Sequence, residues 1–496
     1  MKKMLAVVSL ALSMPLVAEG VEFQTPGSVG IGGAGVARNN GALTSYWNPA
    51  GAAFSKSTLA VNAGAGFGIR ASDGLTENID LLSTIDFDNV KDFNTTSAGA
   101  KEVGDVVKTL SILNDINTRQ GNIAINVIAP VSFSIKNISF GIYGGMEGYV
   151  MPVSDMINIL PYINNTPTST LTVADLATAA GTSNTASGYF SSTQFATLTS
   201  AINAADPSVD ATQLANAIDT QLKESGIDPA TALSSLTDKT LPSLTAGGTN
   251  TLNKNTTSVM TKAFQYIEIP LSYGHPFDIG KKGKLGLGIT GKVIKGTVYQ
   301  NEVLLVNRPD NVDAKDIIND ITENQKSSSA IGIDIGALYK YENWLNIGLV
   351  AKNINSPKFD GPTYNSTVTS TSVQGSAVEL KPQIRTGVAI EPVGWMTLAA
   401  DLDLSENDTV APGSVVGSSN KSRNFGGGFE VKPASWLKVR GGAYKNLAQS
   451  NGSVLTAGFK LFLLDVDGAM ATNTFTIDGN ELPREVKVNA SMSFSF

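Results

Sequence analysis

The amino-acid sequence predicts an all-β protein: a 14-stranded antiparallel transmembrane β-barrel with an N-terminal lumen hatch and helical extracellular loop insertions. Three observations lead to this prediction. The C-terminal segment alternates between apolar and polar side chains and ends on an aromatic residue. Segments with the same period of two recur along the chain. The connections between those segments alternate between short and long, which is typical of outer-membrane barrels.

The C-terminal segment, EVKVNASMSFSF, has the pattern of a barrel's closing strand. Its polar phase includes Lys487 and Asn489, and a period of two places this phase opposite the apolar one. One face therefore suits hydrocarbon and the other suits water. Taken alone, the segment also fits the last strand of a soluble sandwich. The apolar phase consists of Val486, Val488, Ala490, Met492, Phe494 and Phe496.

The composition argues against several classes of protein. The chain of 496 residues has no cysteine, so disulfides and thiolate chemistry are excluded. Its single histidine, His275, precedes Pro276 and Phe277 at a predicted strand end and is interpreted as a turn residue. No GxSxG sequence accompanies it, so we expect no enzyme, and the sequence predicts no cofactor and no metal site. A net charge of −7 provides no basic surface for nucleic acid.

Residues 1–20, MKKMLAVVSLALSMPLVAEG, are interpreted as a signal peptide. Lys2 and Lys3 form a basic start, a short apolar run follows, and small residues at Ala18 and Gly20 offer cleavage positions. The apolar run is too short to span a bilayer, so an uncleaved anchor helix is the weaker interpretation.

Fourteen strand-like segments follow. Each has about the nine to eleven residues, or somewhat more, that a tilted strand needs to cross a membrane. The predicted strands are 59–70, 123–135, 138–151, 258–276, 284–303, 327–341, 344–354, 380–391, 395–405, 421–432, 436–445, 453–461, 464–473 and 485–496.

The connections after even-numbered strands are short, and those after odd-numbered strands are long. The short ones lie at 137, 278–283, 342–343, 392–394, 433–435 and 462–463, and the long ones include 71–120, 152–257 and 304–326. In outer-membrane barrels the short side is periplasmic, so an even strand number predicts both termini in the periplasm. A soluble sandwich has no reason to alternate in this way.

Two long connections have helical spacing. In 71–120, apolar residues from Val103 to Leu113 recur every three or four positions. In the insert at 152–257, Thr172 and Asp175 fit a capping box, and Asp228 with Pro229 fits a further helix start. The apolar stripes are most simply packing faces, although a ligand-capturing surface is an alternative. They comprise Phe195, Leu198 and Ile202, and then Leu214, Ala217, Ile218 and Leu222.

The segment at 21–56 precedes the barrel, which is assigned to 57–496, and is rich in glycine and alanine. Its GIGGAG sequence raises the alternative of a phosphate-binding loop. That motif should follow a strand of a βαβ unit and precede an acidic residue about twenty positions on, and neither condition holds. Small residues let a backbone fold tightly against a wall, so we predict a compact plug in the lumen.

The plug carries the most specific resemblance in the chain. GAGVARNNGALTSYWNPAGAAF, with Asn48, Pro49, Ala50 and Gly51 after two aromatic residues, resembles the N-terminal hatch of the FadL-type long-chain fatty-acid and hydrophobic-compound outer-membrane transporter family. The pieces GLVAKNINSPKF, PQIRTGVAIEP and LAADLDLSEN are similar to barrel strands of that family. One subgroup of such barrels is the TraF-like conjugal-transfer group. The insert at 152–257 departs from the transporter pattern.

The resemblance implies a function and several site residues. Asn48, Pro49, Ala50 and Gly51 would hold the hatch shape. Arg38 would pair with a lumen carboxylate or contact the anionic headgroup of a ligand. The charged residues that are predicted to face the lumen near it are Asp401, Asp403, Arg385 and Arg440. In the family, ligands leave sideways through a kinked third strand. Gly144, Gly145 and Gly148 are candidates for that kink, and making room for a neighbour is the alternative.

The functional prediction is an outer-membrane channel that takes up hydrophobic small molecules through a hatch-gated barrel in a Gram-negative bacterium. The alternative is a barrel that acts in conjugal transfer, secretion or assembly through its extracellular insert. The expected partners are the lipid bilayer, a hydrophobic small-molecule ligand and the barrel-insertion machinery, which would recognise Phe496.

Overall fold

A computed structural model of the chain describes residues 20–38, 41–55, 57–72, 92–93, 100–119, 121–155, 158, 162–163, 166–170, 172–180, 185–223, 227–245, 254–304, 324–366, 368–411, 420–449, 452–477 and 480–496. The predicted signal peptide lies outside this part of the chain apart from Gly20.

The predicted architecture is confirmed: fourteen antiparallel strands form one closed barrel. Each strand pairs with its neighbours in the chain, and β1 closes the barrel on β14. The strands are β1 (Ala60–Ala71), β2 (Ile123–Ile135), β3 (Ile138–Val153), β4 (Ser258–Ile279), β5 (Gly283–Leu304), β6 (Gln325–Tyr341), β7 (Leu345–Lys352), β8 (Gln383–Val393), β9 (Met396–Asp403), β10 (Asn424–Ala434), β11 (Leu437–Asn446), β12 (Val454–Leu461), β13 (Leu464–Ala471) and β14 (Glu485–Ser495).

Burial alternates along the strands as the period of two requires. On β4 to β6 the outward residues are large and apolar, and Ile269, Leu271 and Ile331 are 54%, 61% and 66% exposed. The inward residues of the same strands include Glu268 and Lys292, which are buried and joined by an ion pair of 3.3 Å. An apolar exterior around a polar interior is the arrangement that lets a barrel sit in a bilayer.

The short connections lie where the sequence placed them. Several of them reverse the chain through a residue with positive φ, which suits tight turns between antiparallel strands. These residues are Lys136 (φ 49°), Gly280 (φ 67°), Glu342 (φ 51°) and Phe462 (φ 54°). The pairing register shifts between Ile390 and Val393 and between Val431 and Ala434, in both cases next to a short turn. We call this end of the barrel the short-turn end and the other the long-connection end.

The long-connection end carries helices with a hydrophobic core of their own, which we call the helical cap. After the hatch helix α1 (Thr44–Trp47), the helices are α2 (Ala100–Arg119), α3 (Val173–Ala180), α4 (Ser192–Ala205), α5 (Ala211–Leu222), α6 (Pro229–Ser235) and α7 (Leu241–Thr245). The predicted apolar stripes pack in this core: Leu110, Leu198, Ile202, Leu214 and Ile218 are all at most 2% exposed. None of the helices in the described ranges is both long and apolar enough to cross a membrane.

The predicted helix starts of the cap are also present. Thr172 Oγ1 accepts from the backbone N–H of Asp175 at 3.2 Å, and Asp175 Oδ2 accepts from the N–H of Thr172 at 2.9 Å, which is the reciprocal pair of a capping box. Asp228 accepts from the N–H of Thr231 in the first turn of α6, directly before Pro229. The Asn114 amide donates to Ser235 Oγ at 3.0 Å, so α2 and α6 are joined although they belong to different connections.

Candidate functional site

The hatch, residues 21–55, runs through the lumen from one end of the barrel to the other. Gly20 donates its N–H to the carbonyl of Thr409 at the long-connection end. Pro49 and Ala53 lie against Gly274 and Gly288 near the short-turn end. Thr58 then donates to the carbonyl of Phe496, where the barrel closes. The start of β1 and the end of β14 thus lie together at the short-turn end, as predicted. The first described residue, Gly20, lies at the long-connection end.

Aromatic residues form the centre of the hatch. Trp47 is fully buried, and its indole N–H donates to the carbonyl of Pro26 at 3.0 Å. Phe23 and Tyr46 pack against it with ring centroids 5.6 and 6.0 Å away. Tyr46 also meets Tyr143 of the barrel wall at 5.3 Å. This cluster joins the start of the hatch, its helix and the wall into one packed unit.

Asn48 connects the hatch to itself and to the wall. Its side-chain amide donates to the carbonyl of Val36 at 3.2 Å and to that of Ala337, on β6, at 3.1 Å. Its side-chain oxygen accepts from the N–H of Ala50, which caps the short helix that begins at Pro49. Asn48 and its neighbours Pro49, Ala50 and Gly51 thus lie buried between the hatch and the barrel wall.

Glycines of the wall allow the hatch backbone to approach closely. Gly32 has φ 67°, and a Cβ on it would lie 2.5 Å from the carbonyl oxygens of Gly427 and Ala443. A Cβ on the wall glycines that face the hatch would lie only 2.0 to 3.1 Å from hatch atoms. These wall glycines are Gly274, Gly286, Gly288, Gly336, Gly348, Gly387, Gly426 and Gly442. The wall has room for the hatch only because these residues have no side chain.

Buried charges add polar attachments. Asp401 accepts from the backbone N–H groups of Gly35 and Val36 at 2.8 and 3.0 Å. Arg385 donates to the carbonyl of Gly33 and pairs with Asp401 and Asp403 at 3.4 and 3.3 Å. Of the charges considered from the sequence, Asp401 and Arg385 therefore contact the hatch directly, through its backbone, whereas Asp403 acts through its ion pair with Arg385. Each of these side chains is at most 2% exposed.

Arg38 pairs with a carboxylate that the sequence did not single out. Its guanidinium lies 2.8 Å from Glu430 on β10. Arg440, a residue considered with Arg38, contacts the same carboxylate at 2.9 Å and also pairs with Asp465 and Asp467. The alternating pattern of β10 indicates that Glu430 faces the lumen. Its pairing with Arg38 could not be predicted, because the two residues are 392 positions apart in the sequence.

The half of the lumen nearer the long connections contains an apolar cluster, which we call the outer apolar cluster. Barrel-wall residues provide most of it. Phe359, Val378 and Val410, which belong to the long connections, also pack into it. Phe359 is fully buried against Phe264, with ring centroids 5.0 Å apart. The wall contributes Ala124, Tyr149, Met151, Met260, Phe264, Tyr266, Ile294 and Val298, and the hatch contributes Val21.

A buried lysine lies between the outer apolar cluster and the hatch. The ammonium of Lys352 is 3.7 Å from the ring centroid of Tyr46 and 4.8 Å from that of Phe23. It lines a small cavity of about 30 Å³ together with Glu268 and Gln383. The cation–π contacts partly replace the hydration that this ammonium loses on burial.

The structure shows no break in strand pairing at the glycines predicted to kink the third strand. Gly144 and Gly145 pair in unbroken register with Ala129 and Ile128 on one side and with Ile267 and Tyr266 on the other. Gly148 pairs equally regularly with Ile125 and Ala263. A Cβ on Gly145 would lie 2.3 Å from the ring of Tyr266, so this glycine makes room for an aromatic neighbour, the alternative that the sequence left open. The glycines do not interrupt pairing because β3 is held on both edges.

His275 is also placed differently from the prediction. It lies within β4 rather than in a turn, and it pairs with Leu287 of β5. Its ring points outward between Tyr273 and Phe277, and its Nδ1 is 3.2 Å from the hydroxyl of Tyr273. Aromatic residues at the edge of the apolar band are typical of the membrane interface.

Comparison with known proteins places the chain in a family. The model of the family described as "F plasmid transfer operon, TraF, protein" matches residues 45–403, from the hatch helix to the end of β9. The chain belongs to this TraF family. The TraF-like subgroup predicted from the sequence is therefore confirmed, and the closed barrel with its apolar band is an outer-membrane barrel. No curated protein matches the sequence significantly.

Several solved structures are similar to this TraF-family chain. The toluene transporter TbuX of Ralstonia pickettii is 12% identical, with a TM-score of 0.43 over 97% of this chain and 100% of the other. The Pseudomonas putida toluene transporter TodX is 10% identical, with a TM-score of 0.41 over 97% and 99%. A Pseudomonas aeruginosa FadL homologue is 10% identical, with a TM-score of 0.40 over 96% and 99%.

Proposed function

We propose that this TraF-family barrel takes up hydrophobic small molecules across the outer membrane of a Gram-negative bacterium, with the hatch as its gate. The short-turn end, with the barrel's first residues and Phe496, would face the periplasm. The helical cap would face the exterior. In this orientation a ligand enters between the long connections and leaves after the hatch has moved.

The outer apolar cluster is the observation that supports uptake. A water-filled pore needs a polar lumen. In the half of this lumen nearer the long connections, a few buried charges such as Glu147 and Lys262 are accompanied by a continuous apolar cluster that includes Met151, Met260, Phe264 and Ile294. Such a lining disfavours ions and favours apolar ligands, because apolar surface is transferred out of water. Phe359 already shows that an aromatic ring fits among these side chains.

The hatch blocks the route beyond this cluster. Asp401 of the wall accepts hydrogen bonds from the hatch backbone, and Asn48 of the hatch donates to a wall carbonyl. Arg38 of the hatch forms an ion pair with Glu430. Transport therefore requires that some of these contacts break while a ligand passes. Each hydrogen bond contributes about 1 kcal/mol, so a partial displacement is within reach of ordinary binding energies.

A cross-link between hatch and wall tests gating directly. The backbone nitrogen of Ser45 lies 3.2 Å from Oγ of Ser139 on β3, and the chain has no cysteine of its own. We expect Ser45→Cys with Ser139→Cys to form a disulfide under oxidising conditions. Cells that express this variant should lose uptake of radiolabelled toluene and oleate and regain it after reduction.

The controls separate gating from transport itself. Each single cysteine variant should transport like the unmodified protein in both redox conditions. Equal uptake by the cross-linked and reduced protein would contradict a moving hatch. Uptake by the unmodified protein no higher than in cells without it would contradict the transport function.

A second function is favoured by the family match and by the helical cap. The description of the matching family refers to a plasmid transfer operon. The cap has a hydrophobic core that is separate from the barrel. A barrel that displays such a unit suits contact with a partner in conjugal transfer, secretion or assembly. Removing residues 156–253 should then reduce plasmid transfer in the native host while leaving uptake unchanged.

Phe496 is proposed as the contact for the barrel-insertion machinery. It is 77% exposed at the short-turn end, and its ring packs edge-on to Phe494. Phe496→Ala should lower the amount of folded barrel in the outer membrane, whereas Phe462→Ala, at another exposed aromatic of the same rim, should not.

A further inference from the structure

A polar cavity opens at the short-turn end, on the far side of the hatch from the outer apolar cluster. We call it the vestibule. It has a volume of about 350 Å³ and lies between the hatch residues Gly41 to Leu43 and the short-turn ends of β8 to β14. This volume is within the range of small-ligand sites. Its wall includes the hydroxyl residues Thr397, Ser491, Ser493 and Ser495.

The vestibule carries more positive than negative charge, although the chain as a whole has a net charge of −7. Its five cationic residues outnumber its three carboxylates, and Asp467 pairs with Arg440 just behind the lining, which leaves a local net charge of about +1. The cations are Arg38, Lys432, Lys438, Arg440 and Lys460, and the carboxylates are Glu391, Glu430 and Asp465. A concave site with one dominant sign concentrates ligands of the opposite sign.

Glu430 is shared by four of these cations. Arg38 and Arg440 approach it to 2.8 and 2.9 Å. Lys438 and Lys432 lie further away, at 3.3 and 3.8 Å. A single carboxylate carries one negative charge, so the two lysines are only partly compensated. Their side chains remain 32% and 35% exposed, so a ligand can reach them from the short-turn end.

The lysines also form a row across neighbouring strands. Lys438 on β11 stands directly opposite Lys460 on β12, and Lys432 lies at the adjacent end of β10. Adjacent strands are about 4.8 Å apart, so the three lysine side chains start from backbone positions spaced at intervals of roughly that size. Like charges directly opposite each other destabilise a sheet. This cost is offset if a ligand supplies the missing negative charges.

From these observations we propose that the vestibule binds an acidic peptide segment, whose carboxylates pair with Lys432, Lys438 and Lys460. A row of separated cations matches carboxylates spaced along a chain better than it matches one compact anion. The hydroxyls of Thr397, Ser491 and Ser495 can bond to the peptide's amides, while that of Ser493 accepts from the Lys460 ammonium. Arg38 brings the hatch into the same site, since it shares Glu430 with two of the lysines.

Peptide binding to the full barrel in mild detergent tests this proposal. The probe is a fluorescently labelled tetraglutamate, followed by anisotropy at low salt, with tetraglutamine as the uncharged counterpart. We expect tetraglutamate to bind and tetraglutamine not to bind. Lys432→Gln, Lys438→Gln and Lys460→Gln together should weaken binding about tenfold, because each of the three ion pairs is partly exposed and therefore weak.

The matched control removes three lysines from another part of the same rim. Lys281→Gln, Lys282→Gln and Lys284→Gln change the net charge equally but lie outside the vestibule, so binding should be unchanged. Equal weakening by both triple variants would mean that only net charge matters and would overturn the proposal. A heat-induced shift in electrophoretic mobility confirms that each variant is a folded barrel.

Competition experiments distinguish an acidic peptide from a small anion as the ligand of the vestibule. Free glutamate and inorganic phosphate at the concentration of the peptide should displace it poorly, because neither is long enough to contact all three lysines at once. Complete displacement by either of them would overturn the peptide proposal in favour of a small-anion site. The measurement does not involve uptake, so it stands whatever the result of the transport experiments.

Discussion

Asn48 illustrates what a single residue does in this hatch. One amide group satisfies the carbonyls of Val36 and Ala337, while its oxygen caps the helix that begins at Pro49. The NPAG sequence indicated that Asn48 shapes the hatch. Its link to β6 could not be predicted, because nothing in the local sequence says which strand passes beside it. Arg38 is similar: a lumen carboxylate was expected, and only the fold identifies it as Glu430.

Replacing Asn48 should loosen the hatch. Asn48→Ala leaves the buried carbonyl of Val36 without this donor and removes the cap, for a loss of about 1–3 kcal/mol. Limited proteolysis of the folded barrel should then cut the hatch faster. Gln24→Ala is the control, since this hatch residue makes one side-chain hydrogen bond, to Asn126, and should have a smaller effect. Equal rates for the two variants would contradict the role given to Asn48.

At the scale of elements, the strands were the most predictable part of the molecule. Period-two patterns placed most of their ends within about three residues, because one face must meet lipid and the other the lumen. The glycines of β3 do not break its pairing, because glycines weaken a strand only where nothing else holds it. Here β2 and β4 pair with both edges of β3, and Tyr266 fills the space beside Gly145.

The two adjacent glycines of β3 provide a matched pair of substitutions. Gly145→Val should destabilise the barrel, because even its Cβ would overlap the ring of Tyr266. Gly144→Val should be tolerated, since that position faces outward and the nearest atom to a Cβ is 3.7 Å away. The temperature of the electrophoretic mobility shift measures this difference. If both variants fold normally and both abolish uptake, a lateral exit through β3 must be reconsidered.

The helical cap contains an acid-sensitive joint at Asp219 of α5. Its buried carboxylate accepts from the N–H groups of Ser187, Gly188 and Phe190 at 2.5 to 2.9 Å. Burial acts to raise the pKa of Asp219, but these donors outweigh it, so the pKa lies below its usual value. The stabilisation is thus present above about pH 4, the ordinary value for Asp, and is lost as the pH falls through the lowered pKa.

We therefore expect Asp219→Asn to lower the melting temperature of the cap at pH 7, followed as helical circular dichroism. The loss should correspond to about 1–3 kcal/mol, because charge-assisted hydrogen bonds are replaced by weaker ones. The difference from the unmodified protein should shrink as the pH falls below 4. Asp206→Asn, at an exposed turn, should change little at either pH. A constant difference across the pH range would argue against this assignment.

For the whole molecule, the main property is that the lumen is filled along its length. The hatch runs through the lumen and occupies most of the half nearer the short turns, apart from the vestibule, and the outer apolar cluster packs around its first residues in the other half. The sequence predicted a plug from small residues but not its fit, because that depends on glycines from seven different strands meeting one segment. The vestibule was not predicted either. Its lysines lie on consecutive strands, but the space beside them depends on how the hatch folds.

A filled lumen should not conduct ions. In a planar bilayer the unmodified protein should show little conductance. Gly32→Val should raise it, because its side chain would overlap the backbones of Gly427 and Ala443 and push the hatch from the wall. Gly41→Val is the control, as no atom lies within 4 Å of a Cβ at that position. Similar conductance of both variants would show that the hatch is not what seals the barrel.

The join between β1 and β14 has a consequence for biogenesis. Thr58, directly after the hatch, bonds to Phe496, the last residue of the chain. The barrel can be sealed only after its final strand has been made, whereas the hatch is synthesised first. We expect the hatch to be folded inward before the seam closes, with the growing sheet wrapping around it. The plug would then serve as the template on which the wall is assembled.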